Sequence, residues 1–373
     1  MLPTVCFVTA HPNPSNHFVE YVQAFEERGV SCTVIADSGI SGKFSKLNAD
    51  VIELNLKSKK WRSKIEDILS KQSLVITDIA SHRWISLHRW LKKHHPEIKR
   101  AVYYDNPEPF VPGGYSEMAE KVIRRAQIVL FANAKLPEKG IQNGEKAPCK
   151  LSKKRLIGIG YYPKADAEII RKLRNDPDAI GKLREDFFNR HKVEDSDQEI
   201  FTFVGGANDE YDFKAFPHFI DILSELVFYK DTPLKNTIVV VKQHPPSEDR
   251  GNHDGKTVEK FLERHALPRN SHILISGKGD MPTVDVCALS MGVFYHQTSM
   301  AAQFALASIP VIAQVADKPN RDILLNCGYP FVDEAGGLAK VMTGFDQNVD
   351  PSTIEKELGF EDDWKSRLLE ILD

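Results

Sequence analysis

Two short segments carry the side chains best suited to hold an anion. VVVKQHPPS (Val239–Ser247) ends an apolar run in Lys242, His244 and two prolines. Proline fixes its own backbone and cannot donate to a strand ladder, so a strand must stop there and hold His244 at its carboxyl end. An imidazole N–H can donate to a phosphate oxygen, with the Lys242 ammonium beside it as a point charge. A loop-capping histidine that satisfies a carbonyl fits the same residues. YHQTSMAAQFALASIPVIA (Tyr295–Ala313) places His296, Gln297, Thr298 and Ser299 where a strand passes into a small, apolar helix. The free N–H groups of a first helical turn, their partial positive charge and two hydroxyls make an anion site. N-capping by Thr298 or Ser299, worth about 1 kcal/mol, accounts for the hydroxyls without a ligand. It does not require His296 and Gln297.

Three further loops carry groups able to move a proton. TAHPNPSNHF offers His11 and His17, TDIASHRW offers Asp78 and His82, and YYDNPEPF offers Asp105 and Glu108. Each has a plainer use. His17 fits a surface histidine in a first helical turn, Asp78 fits a helix cap, and the acidic proline-rich loop fits a turn. That last loop suits binding through Asp105 and Glu108 better than catalysis. In FVGGAND, Gly205 and Gly206 let a backbone approach a ligand closely, without the spacing of a dinucleotide fingerprint. SGKGDMPTVD (Ser276–Asp285) is a second glycine-bearing turn, open to the same reading or to that of a plain surface turn. No Walker loop, H-E-x-x-H, G-x-S-x-G or D-x-D metal loop occurs, so no obligatory metal is expected. HRWLKKHHPEIKR (His88–Arg100) is basic, but Trp84, Leu87 and Leu91 give its helix an apolar side. A solvated helix face fits it better than a nucleic-acid or membrane patch, with a phospho-group on an acceptor as the functional alternative.

The elements that must position these loops alternate along the chain. Apolar, β-branched runs are expected as strands at Val5–Ala10, Cys32–Ala36, Val51–Leu54, Leu74–Thr77, Ala101–Tyr104, Ile128–Ala132 and Leu156–Gly160. The pattern resumes at Ile200–Val204, Thr237–Lys242, His272–Ile275, Gly292–Tyr295 and Pro310–Gln314. Between them lie amphipathic stretches such as His17–Arg28, stopped by Gly29, and Ser116–Arg125. Continuous apolar strands with crossover helices mean parallel sheets covered on both faces. The expected fold class is α/β: two Rossmann-like, doubly wound domains facing across a cleft. Residues 1–165 form the first, 166–197 a charged helical linker, 198–352 the second, and 353–373 a C-terminal helix. In open α/β sheets ligands sit at the carboxyl ends of the strands, where all these loops lie.

Bulk properties exclude several classes. At 373 residues the chain suits two domains. Net charge is -3 and mean hydropathy -0.34, so no overall field favours nucleic acid or anionic lipid. The five cysteines are dispersed without a C-x-x-C pair, which reads as reduced thiols and a cytoplasmic setting. No signal peptide or transmembrane run is apparent; peripheral membrane contact stays open.

A strand, a Ser/Thr-rich helix start and a helix leading into A-x-x-P-V-I resemble the donor-binding half of GT-B glycosyltransferases. With KQHPP upstream, the pair is similar to bacterial polysialyltransferases, CDP-glycerol glycerophosphotransferases and capsule Kdo transferases. That resemblance implies that His244, Thr298 and Ser299 grip the phosphate of a CMP-, CDP- or UDP-linked donor. Lys242, His296, Gln297, Gly205 and Gly206 would line the same site. Retaining members carry two glutamates where this chain has Tyr295 and Gln303. Gln303 could still bond a ribose hydroxyl, and inversion is the implied default. The acceptor, a glycan or lipid-linked hydroxyl, then needs a base: His17, His11, Asp78 or His82, with His17 where several GT-B families place a histidine at the start of the first helix. Non-hydrolysing nucleotide-sugar 2-epimerases share the fold but not the Ser-Gly-Gly and Glu-Glu signature. A GT-B-like chain working through protein contacts alone is the remaining alternative.

Overall fold

The computed structural model describes residues 3–56, 58, 61–79, 81–106, 114–137, 154–194, 197–205, 215–242, 253–276, 280–296, 298–319, 322–344 and 349–373. His244, Gln297, Gly206 and Glu108 lie outside them. The chain divides into two compact units, residues 1–163 with 358–373, and residues 164–357.

The first unit is built on a seven-stranded parallel sheet in the order β3-β2-β1-β4-β5-β6-β7. Its strands are β1 (Thr4–Thr9), β2 (Ser31–Asp37), β3 (Asp50–Leu54), β4 (Leu74–Asp78), β5 (Lys99–Tyr104), β6 (Ile128–Phe131) and β7 (Arg155–Gly158). Strand β4 is buried along its whole length, as a central parallel strand covered on both faces must be. One apolar cluster, with Val75, Val102, Trp84 and Leu91, fills one face of the sheet. Another, with Phe7, Phe18, Phe25 and Tyr103, fills the other. The order reverses between β1 and β4, which opens the crevice where such sheets take ligands.

The second unit has a six-stranded parallel sheet, β10-β9-β8-β11-β12-β13. It comprises β8 (Glu199–Gly205), β9 (Thr237–Lys242), β10 (His272–Ser276), β11 (Gly292–His296), β12 (Val311–Val315) and β13 (Phe331–Val332). Here the reversal falls between β8 and β11, and the register sets Gly205 against His296.

The division departs from the expected one in two places. Helices Ala165–Arg174 and Pro177–His191 are not a free linker but part of the second unit. Arg171 donates to the Leu306 carbonyl at 2.8 Å, and Arg174 to those of Ala288 and Ser290. Phe187 and Phe188 enter the core beside Ile200 and Ile238. The C-terminal helix Trp364–Leu369 belongs instead to the first unit: Trp364 stacks on Tyr161 at 4.3 Å, and Leu368 and Ile371 are buried in its core. The chain reaches that position through Gly359, whose φ of +66° and close approach to Asn133 leave no room for a Cβ. No described helix is long and apolar enough to cross a membrane.

Candidate functional site

In the first unit the reversal crevice gathers residues from three strand ends. Helix Pro12–Glu26 begins earlier than expected because proline is tolerated in a first turn, where its missing N–H is one of the orphans anyway. His11 therefore becomes the N-cap, and Asn13 stands in the first turn. Asn13 donates to an Asp105 carboxylate oxygen at 2.6 Å, across 92 positions of sequence. Asp105 is buried just past β5. Burial pushes its carboxyl up to about 6, reinforced by the neighbouring Asp78 charge and opposed by the Asn13 bond and by His11. A carboxylate with that affinity for a proton is ionised at neutral pH yet basic enough to take one from a hydroxyl. Asp105, read from sequence as a binding residue, thus has the chemistry of a base. Asn13 was missed, because its partner is brought in only by the sheet.

Asp78 has a different task. Its two carboxylate oxygens accept from the Ala10 N–H at 3.3 Å and the Trp84 indole N–H at 2.6 Å. It is fully buried and ties the end of β1 to the helix His82–His94, which suits an anchor better than a base. His17 is corrected more sharply. The earlier helix start puts it well inside the helix, facing the core rather than the surface. Tyr21 donates to the Tyr103 hydroxyl at 3.0 Å, so Tyr103 donates in turn to His17 Nδ1. The ring packs edge-on against Tyr162. Burial lowers the imidazole to about 3, three orders of magnitude weaker as a base than Asp105. His82 is exposed at the first position of its helix, behind the capping hydroxyl of Ser81.

In the second unit the strand ends set Ser276 against Lys242 and Lys242 against Val204, with Gly205 and His296 paired one residue further on. Lys242 is buried, and its ammonium donates to the Ser276 hydroxyl at 2.9 Å and the Met281 carbonyl at 2.8 Å. Its charge is committed to tying β9 to the loop after β10. His296 is buried at the end of β11, and burial lowers it to about 4 against the pull of Asp317. At neutral pH it is a neutral hydrogen-bonding group, not a cation. Thr298 accepts from the Met300 N–H at 3.2 Å, so its hydroxyl caps the turn before helix Ala301–Leu306, and Ser299 is exposed beside it. Whether His244 faces this pair lies outside the described residues. Gln303 uses its side-chain oxygen to accept from the Ala167 N–H at 3.0 Å, supplying a cap for helix Ala165–Arg174.

Tyr295 is also tied into the fold. Tyr295 and Gln314 both donate to one oxygen of buried Asp322, at 2.8 and 2.6 Å, while the second oxygen accepts from Leu325 N–H. Burial raises the Asp322 carboxyl above its ordinary value. Its place before ILLN marks it as a helix cap in sequence; the two long-range donors do not show there. Asp322→Ala removes the acceptor that both buried donors share and is expected to cost about 3 kcal/mol, read by urea unfolding. A change below 0.5 kcal/mol would mean that water replaces the carboxylate.

No protein-family model and no curated protein matches the sequence. Solved structures match it over nearly its whole length. UDP-N-acetylglucosamine 2-epimerase from Rickettsia bellii is 12% identical, with 100% of this chain and 96% of that one covered and a TM-score of 0.60. The OtsA apo structure is 12% identical over 100% of this chain and 99% of that one, at 0.62. The wall teichoic acid polymerase TagF, soaked with CDPG, is 11% identical over 99% and 87%, at 0.50. The chain has the GT-B fold. Its two doubly wound parallel sheets are the two Rossmann-like domains of that fold, and glycosyltransferases and sugar-nucleotide epimerases stand side by side among the structures it matches.

Proposed function

We propose that the protein is a GT-B transferase that moves a sugar, or a glycerophosphate-like group, from a nucleotide-activated donor to an acceptor hydroxyl with inversion. Asp105 carries the reading. A transferase needs a base for its acceptor, and the first unit holds a carboxylate raised to about 6 at the crevice of its sheet. Asp105 takes the acceptor proton as the acceptor oxygen bonds to the transferred carbon or phosphorus. The bond from that atom to the nucleotide phosphate breaks, and the phosphate leaves with the electron pair. In the second unit the neutral His296, the Thr298–Ser299 turn and the backbone at Gly205 receive the donor, with His244 assigned to its phosphate by resemblance. No metal has a part in this scheme. The acceptor is a glycan or lipid-linked hydroxyl, and the setting is the cytoplasm.

A panel of CMP, CDP, UDP and GDP is expected to raise the melting temperature with at least one member, and His244→Ala to remove that shift. No response to any nucleotide would sink the reading. The epimerases that share the fold define the competing outcome. UDP-N-acetylglucosamine converted to a second sugar nucleotide, with no acceptor present, would replace transfer by epimerisation.

A further inference from the structure

The basic run His88–Arg100 holds a feature that a solvated helix face does not explain. Arg100 lies at the start of β5, opposite Val75 of β4, and is 6% exposed. Among the described residues its buried Nε and Nη1 have no hydrogen-bond partner, and neither does Nδ1 of His88, which is fully buried. The two residues belong to one place. Thr77, two positions beyond Val75 on the same face of β4, bonds His88 Nε2 at 3.0 Å. Both unmatched Arg100 nitrogens are donors, and His88 Nδ1 is a third in the tautomer in which Thr77 donates to Nε2.

More positive charge surrounds them. Arg100, Lys154 and Arg125 all act on His88 and help keep it neutral. Arg89 and Arg124 act on Arg125 in turn. Arg124 is paired with Glu120, and Lys154 donates to the Arg124 carbonyl at 3.3 Å. Buried donors without an acceptor are costly for a fold to keep. We infer that Arg100 and His88 hold a small oxyanion, a phosphate or a phosphomonoester, at the amino end of the first unit's strands. This site is at the opposite end of the sheet from Asp105 and does not depend on the transferase reading.

The test compares wild type with Arg100→Met in sodium phosphate and in sodium chloride of equal ionic strength. Phosphate tenfold above its Kd is expected to raise the wild-type melting temperature by about 3 °C and to leave the variant unmoved. Equal responses in the two proteins, or none in wild type, overturn the site. Should the methionine variant fail to fold, Arg125→Gln at the partly exposed rim serves instead. It is expected to weaken phosphate binding about fivefold by calorimetry, as loss of one nearby positive charge does, and unchanged binding overturns the site equally. Titration with glycerol 3-phosphate then separates the sources. Binding tighter than that of inorganic phosphate marks a phosphomonoester site, and weaker binding marks a site for the free ion; both uphold an oxyanion at Arg100.

Discussion

Asp105→Asn is expected to remove most of the transferase activity and yet give a more stable protein. A general base contributes on the order of a hundred- to ten-thousandfold in rate, so kcat should fall about a thousandfold while donor binding to the second unit is unchanged. The stability effect has the opposite sign. The Asp105 carboxyl is raised from 3.8 to about 6 on folding, chiefly by burial, so the native state holds its proton more tightly than the unfolded chain does. Between those two values stability falls as pH rises, and at neutral pH the charged carboxylate costs up to about 3 kcal/mol. Asparagine keeps the shape and can still accept from Asn13 through its oxygen, without the charge. The variant should therefore melt several degrees higher at pH 7.5 and lose that advantage near pH 4. Wild-type kcat/KM should fall tenfold per pH unit below 6. An Asp105→Asn protein that keeps its activity, or melts lower at pH 7.5, would show that this carboxylate is structural.

Sequence patterning revealed the strands well and the site unevenly, for physical reasons visible in particular residues. Central parallel strands are buried on both faces, so VCFV, LVIT and TIVVV read directly as apolar runs; β13, only Phe331–Val332, is too short to read. The start of helix Pro12–Glu26 was misplaced because two prolines resemble a loop, and that error put His17 on the surface. Asp105 and Asp78 look alike in sequence. Only the fold brings the Asn13 amide to one and the Ala10 and Trp84 N–H groups to the other. Lys242 likewise reads as a charge offered to a ligand, until the loop after β10 supplies the Met281 carbonyl that takes it. Burial and partners far along the chain decide such roles, and neither is local information.

The first unit is expected to be lost steeply in acid, with a slope that two substitutions shift in opposite directions. His17 and His88 are each fully buried, and burial lowers both from 6.5 to about 3. The unfolded chain therefore binds a proton at each that the native state refuses. Their contribution is fully present above pH 6.5 and is lost as pH falls toward 3, at about 1.4 kcal/mol per pH unit for each histidine. Asp105 opposes them in part, because it regains stability as pH falls from 6 toward 3.8. The three groups together predict a net slope of about +1.4 kcal/mol per pH unit between pH 4 and 6, equal to one proton taken up on unfolding. His17→Leu removes one uptake site and should flatten the slope, at some cost in stability at pH 7 because the Tyr103 hydroxyl loses its acceptor. Asp105→Asn removes the opposing group and should double the slope to about two protons. Denaturant melts of both variants at half-unit pH steps separate the terms. Identical slopes in wild type and His17→Leu would mean that His17 titrates normally and is not enclosed as described.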